Sequence, residues 1–207
     1  MLLSGKQHPN ETPETIKLLG GALCLDFTNS VDWTEAGEPL DLASDALTQP
    51  GELGRWGRRV GLFGARPPAI TAAELAAAHE LRAALYAIFA AHDAGERPAR
   101  ADLDLLARTH AEAAAEGWLA EGAGYWGLEW RRSHPRRVRF AVAADAVALL
   151  ADPERLRRVH RCPGRDCGWL FLDTSGRRKW CAMDGCGSRE KMRRLYRRQR
   201  ALAQALG

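Results

Sequence analysis

The sequence lacks a long apolar run. Its longest, Phe140 to Ala151, is interrupted by Asp145 and falls short of the ~20 residues that cross a bilayer. Residues 1–14 hold no apolar segment of the secretory kind, so a soluble, cytoplasmic protein with no membrane partner is expected. There is no Ser/His/Asp order, no Gly-rich phosphate loop and no HExxH stretch. His79, His92, His110, His134 and His160 are scattered. These absences leave little to support an enzyme with a site in residues 1–151, and no catalytic residue is assigned. Lys and Asn are rare while Ala and Arg abound, the bias of a G+C-rich genome. Internal repeats are absent.

What is present is unevenly placed. The net charge of +4 conceals two unlike parts. Residues 152–207 carry 15 Lys/Arg against 6 Asp/Glu, and residues 1–151 carry 15 against 20. Genome bias explains Arg in place of Lys, but it does not gather the positive charge at one end. A basic tail on a mildly acidic body is the electrostatic footprint of a polyanion partner. Of five cysteines, four fall between 162 and 186. Cys24 lies alone among Ala22, Leu23, Leu25 and Phe27 and reads as a small core residue.

Along the chain, residues 1–17 are polar and read as a flexible lead-in. Gly20-Gly21 precedes Ala22–Asn29, which fits either a strand or the start of a helix. Residues 32–41 read as a loop. Leu53, Trp56 and Val60 space a helix over Thr48–Val60, with Gly61 at its C-terminal cap. Thr71-Ala-Ala-Glu74 is a capping box that opens a helix running to about His92, striped by Leu75, Ala78, Leu81, Leu85, Ile88 and Phe89. Gly95 and Pro98 end it. A further helix over Ala101–Glu116 places Leu103, Leu106, Ala107 and His110 on a face. The Gly-punctuated aromatics Trp118, Tyr125, Trp126 and Trp130 suggest short strands or loop. Phe140–Ala151 reads as a buried helix, and Asp152-Pro153 starts a new short element. The expected architecture is mainly α with minor β: a helical domain over 18–151, then a small zinc finger and basic helix over 152–207.

The finger is read from spacing. Cys162 and Cys167 form one C-x4-C pair, and Cys181 and Cys186 form another. Each pair sits on one tight turn and supplies two donors, so two pairs complete the tetrahedron that zinc takes at about 2.3 Å from sulfur. Thiolate tetrahedra also bind iron. Four protein ligands leave no open position, which makes the site structural rather than catalytic. Trp169 and Phe171 share one side of a strand, Thr174-Ser-Gly176 suits a turn, and Lys179-Trp180 returns, so a hairpin is expected within the spacer. Arg161, Arg165 and Arg189 flank the ligands and offset the negative charge of the cluster. A segment of this size has little core, so zinc supplies much of its folding free energy.

No Gly or Pro interrupts Ser188–Leu206. Met192, Leu195, Tyr196, Gln199, Leu202 and Leu206 form a stripe at helical spacing, expected to pack on the body. Arg189, Arg193, Arg197 and Arg200 form a basic face, with Lys191, Arg194 and Arg198 beside it. Arg177, Arg178 and Lys179 at the hairpin tip suit a phosphate grip. A zinc knuckle that fixes the start of a basic helix is a means of presenting it to a nucleic-acid groove.

The stretch from Arg161-Cys162 through Cys167-Gly-Trp-Leu-Phe-Leu-Asp173-Thr-Ser175, Trp180-Cys181-Ala-Met183 and Cys186-Gly187-Ser188-Arg189-x-Lys191 resembles the CGNR zinc-finger family. Ser188 stands where that family's namesake has Asn, and both residues are good helix N-caps. Leu19-Gly-Gly-Ala-Leu-Cys-Leu-Asp-Phe-Thr-Asn29 is similar to the opening motif of the ABATE domain. The resemblance covers nearly the whole chain. It implies a bacterial, stress-related transcription regulator with one structural Zn²⁺ in a treble-clef-like finger, DNA as partner, and an N-terminal domain that senses an effector or forms a homodimer. It also draws attention to Asp26 and Asn29, polar positions in an apolar segment, as candidates for holding a small effector or for anchoring a turn. An RNA- or ribosome-associated zinc protein, or a protein–protein adaptor, is the alternative.

Overall fold

The computed structural model describes residues 12–34, 36–40, 44–122, 124, 126–165 and 167–205. Expectations for residues 1–11, 35, 41, Tyr125 and Leu206, and for the side chain of Leu202, fall outside this description. The last part of the polar lead-in turns back on itself, with the amides of Thr15 and Ile16 donating to the Thr12 carbonyl, and Ile16 is buried.

Helix α1 (Leu23–Thr28) settles the ambiguous segment as helix. It is short, and Cys24, Leu25 and Phe27 are fully buried. Ahead of it, position 20 is glycine for a steric reason: a Cβ there would sit 2.7 Å from the Asp26 amide nitrogen. The Gly20 amide donates instead to Asp26 Oδ1 at 2.7 Å. Helix α2 (Pro50–Arg59) is capped one residue later than its sequence suggests, by Gln49, whose amide donates to Glu52 Oε2 at 2.8 Å. Gly61, just beyond it, has φ +81°, as a helix-ending glycine does.

Helix α3 (Ala72–Asp93) is the long axis of the body, and every residue of its expected stripe is buried. Thr71 caps it, accepting from the Glu74 amide at 3.1 Å. The capping box is only half made. The Glu74 carboxylate instead takes two bonds from buried Arg139, at 3.0 and 3.2 Å. A buried guanidinium needs a paired carboxylate more than an exposed cap amide does.

Helix α4 (Arg100–Glu116) buries Leu106, Thr109 and Ala113, whereas Leu103 and Ala107 are exposed. Its inward face is therefore rotated from the expected one. Strands β1 (Trp118–Glu121) and β2 (Trp126–Glu129) pair antiparallel, with Trp118 opposite Glu129. The Trp130 indole ties this hairpin down by donating to the Ala113 carbonyl at 2.8 Å. Helix α5 (Arg137–Leu150) packs on α1 and α4, and its Asp145 accepts from the Cys24 amide at 2.8 Å. Helix α6 (Pro153–Leu156) is a single turn capped by Asp152, as the Asp-Pro pair suggests.

Strands β3 (Val159–Arg161) and β4 (Leu170–Leu172) pair antiparallel, with His160 opposite Phe171. The expected hairpin within the spacer is thus replaced. The partner of β4 precedes the first cysteine pair rather than following the turn. The cause is polarity: β4 is buried on both faces, so a partner begun by Val159 fits and the Arg177-Arg178-Lys179 run does not. A π turn (Met183–Gly187) leads without a break into α7 (Ser188–Ala205). Residues 12–34, α2, α3, α5, β3, β4 and the four clustered cysteines contribute to one continuous hydrophobic core.

Candidate metal centre

The first cysteine pair rides on the end of the β3–β4 hairpin. The ladder extends one step past β3, where the Cys162 amide donates to the Trp169 carbonyl at 2.8 Å. The chain then turns back, with the Cys167 amide donating to the Gly164 carbonyl at 3.1 Å. Only glycine fits at 164, because a Cβ there would lie 2.9 Å from Cys186 Sγ and 3.3 Å from Cys162 Sγ. The second pair comes from the segment entering α7. The Cys181 amide donates to Cys162 Sγ at 3.4 Å. Cys186 lies in the π turn, which closes by a bond from the Gly187 amide to the Ala182 carbonyl at 3.1 Å.

All four thiols are buried, and their sulfurs lie within 4.8 Å of one another. Cys167 and Cys181 approach to 3.6 Å, and Cys181 and Cys186 to 3.5 Å. These separations are far too long for disulfides, which measure about 2.05 Å. They match the ~3.8 Å edge of a tetrahedron with sulfur ~2.3 Å from its centre. Hydrogen bonds from the neighbouring thiols, Cys162 first, hold the Cys186 thiol far below its ordinary value, and the Arg189 guanidinium adds to this. Hydrogen bonding to Cys162, together with burial, pushes Cys167 and Cys181 far upward. Four thiolates this close coexist only around a cation. The donor set fits one structural zinc ion, held by Cys162, Cys167, Cys181 and Cys186 with no position left for substrate.

Of the flanking arginines, Arg189 donates to Cys186 Sγ at 3.2 Å. Arg161 instead bonds the Thr34 carbonyl at 3.0 Å and lies over the Tyr86 ring. Ser188 is not an N-cap. It already has helical dihedrals, and its hydroxyl donates to the Met183 carbonyl at 2.9 Å, because the π turn supplies the start of α7 that a cap would otherwise make.

The turn at 174–176 forms as expected and is organised by Asp173, which accepts from the Ser175 amide and hydroxyl and from the Arg178 amide. Arg177 and Lys179 are exposed there. Arg178 is half-buried, stacked 4.7 Å over the Phe171 ring. Its guanidinium donates to the carbonyls of Trp180 at 3.1 Å, Leu19 at 2.7 Å and Cys181. Arg178 therefore clamps the second knuckle to the N-terminal segment, a role the basic run gives no hint of.

Asn29 and Asp26 also face inward. The Asn29 amide donates to the Leu170 carbonyl at 2.8 Å and accepts the Leu170 amide at 2.9 Å, acting as one residue of a strand beside β4. Burial pushes the Asp26 carboxyl up to about 6, against the pull of the Gly20 amide. Asp26 anchors the local turn at Gly20, whereas Asn29 reaches further and holds a strand 141 positions away.

On α7, Glu190 pairs with Arg197 at 2.8 Å and Arg193 at 3.8 Å. Lys191, Arg194, Arg198 and Arg200 have no ion-pair partner among the described residues. The apolar stripe does not pack on the body: Met192 and Leu195 are 45% and 46% exposed, and Tyr196 is 60% exposed.

A family model described as "putative stress-induced transcription regulator", named ABATE, matches residues 21–153. The chain belongs to the ABATE family. The CGNR zinc-finger model matches residues 158–199, which span all four cysteines and most of α7. No curated protein matches the chain. Neither family is described as an enzyme. Among the described residues of this ABATE protein, no helix is long and apolar enough to cross a membrane.

Proposed function

We propose that the protein is a transcription regulator that binds duplex DNA through α7, with the zinc cluster setting the direction in which that helix leaves the body. Residues 152–207 form the DNA-binding part in this reading, and residues 18–151 the sensory or dimerising part. The observation that carries it is the charge of α7: Lys191, Arg194, Arg198 and Arg200 are exposed and without an ion-pair partner among the described residues, on a helix whose one substantial packing partner among those residues is the π turn at its start. Arg177 and Lys179, also exposed, add cations near the second knuckle.

Counterion release gives this reading a measurable form. Four to six phosphate contacts correspond to a log–log salt slope of roughly −4 to −5 on duplex DNA. Fluorescence anisotropy of the full zinc-loaded chain on a random-sequence duplex is expected to give that slope. Arg194→Ala with Arg198→Ala is expected to flatten it by about 2 while leaving stability within about 0.5 kcal/mol. Genome-wide binding selection with and without Arg193, Arg194 and Arg197 changed to Ala then tests whether α7 reads sequence. An unchanged slope in the double variant refutes α7 as the DNA-contacting element, and coincident selections refute it as the reader of sequence.

A further inference from the structure

Binding to phosphates leaves the apolar stripe of α7 without a role. Met192, Leu195 and Tyr196 stand in solvent, and the one substantial packing partner of α7 among the described residues is the π turn ahead of it. The spacing of the stripe carries further information. Met192, Leu195 and Gln199 are separated by three and then four residues, and the sequence continues the alternation with Leu202 and Leu206. That is the 3.5-residue period of a two-stranded seam, with 192 and 199 at a positions and 195 at d.

We propose that a second copy of this chain docks on this seam, with α7 against α7 in parallel. The charge pattern selects both partner and orientation. In this register Lys191 and Arg198 occupy g positions, and Tyr196 and Ala203 occupy e positions. In a parallel pair each g faces the e position five residues further along its mate. Lys191 then meets a tyrosine face, a favourable cation–π contact, and Arg198 meets an alanine position, so no cation opposes a cation. In an antiparallel pair g faces g, which sets Lys191 against Arg198 and repels. Gln199, the polar residue at a central a position, fixes the register, as a buried polar residue in a seam does. Arg193, Arg194, Arg197 and Arg200 fall at b, c and f positions and stay outward. A lipid surface fits less well, because it needs a broad apolar face and these arginines confine the stripe to one seam's width.

The seam is short and each helix is strongly basic, so the two copies repel beyond their contact. Pairing in the free protein is therefore weak and becomes tighter as salt screens the repulsion. DNA binding has the reverse salt dependence, so the two properties separate in one titration.

The test is sedimentation equilibrium of the full zinc-loaded chain without DNA, together with cysteine crosslinking. The wild-type dimer is expected to tighten about tenfold as ionic strength rises from about 0.05 M to about 0.5 M. Leu195→Glu, an exposed change, is expected to give monomers that retain one zinc. Leu195→Cys is expected to crosslink between chains under mild oxidation far faster than Arg197→Cys. The proposal is overturned by a wild type that stays monomeric throughout with no excess crosslinking at 195. It is equally overturned by a dimer that Leu195→Glu leaves intact, by a dimer that salt weakens, or by a monomer that binds anionic vesicles through this stripe.

Discussion

Strand β4 runs between the two cysteine pairs and helix α7 follows the second, yet β4 buries all three of its residues while α7 leaves Met192, Leu195 and Tyr196 in solvent. The same contrast holds for single arginines. Arg178 donates to three backbone carbonyls and stacks on Phe171, whereas Arg194, sixteen residues on, has no partner among the described residues. Residue type alone does not separate anchoring from presentation. What separates them is position relative to the last ligand, Cys186: the strands and Arg178 before it join the body's core, and the helix after it has the π turn as its one substantial packing partner among the described residues. The cluster is the joint between a fixed part and a projecting one.

The largest effect that tests this comparison is loss of the joint. Cys181→Ser is expected to reduce bound zinc from one per chain to almost none. Because the cysteines share a core with Phe27 and Trp33, it is also expected to destabilise the whole chain by about 5 kcal/mol or more. Elemental analysis and thermal melting check both. A body that melts at the wild-type temperature without zinc would break the comparison, since the finger would then be a separate unit.

Asn29→Ala comes next. It leaves the buried amide and carbonyl of Leu170 unpaired, at a cost of about 2–4 kcal/mol, and hydrogen exchange at Leu170 is expected to accelerate while that of α7 does not change. Arg178→Ala is expected to cost about 1.5–3 kcal/mol by denaturant melts, with no change in the salt slope of DNA binding. A flatter slope with unchanged stability would place Arg178 with α7 instead.

The smallest effect concerns Asp26. Its carboxyl sits at about 6 in the folded chain, above the ordinary 3.8, so the native state holds the proton more firmly than the unfolded chain does. Stability from this residue is therefore greatest below about pH 4 and declines as pH rises through 6. Asp26→Asn keeps an oxygen for the Gly20 amide. It is expected to remove that slope and to raise stability at pH 7 by about 1 kcal/mol, measured by urea melts across the range.

The metal ligands and most helices were legible because they depend on local spacing. Two C-x4-C pairs, the stripe of α3 and the Asp152-Pro153 start each need only a few neighbouring residues. What was not legible depends on distant partners. Nothing near Asn29 indicates that it pairs with Leu170, and nothing near Glu74 indicates that Arg139 draws its carboxylate away from the cap. Strand pairing failed for the same reason: spacing made Trp180 look like the return limb, while the burial of β4 on both faces required a less charged partner. The apolar stripe of α7 was read as packing against the body, whereas Met192, Leu195 and Tyr196 are exposed, because a stripe shows that a helix has an apolar face and not what covers it.

The continuous core has a consequence for how such molecules are taken apart and recombined. A cut at residue 152 would strip Leu170 and Leu172 of the residues that cover them and leave Asn29 facing water. An excised finger would be sticky and poorly folded even when loaded with metal, and the remaining body would carry an open wound where the strand had been. Chimeras that exchange the C-terminal helix are expected to succeed only when the join lies beyond Arg189.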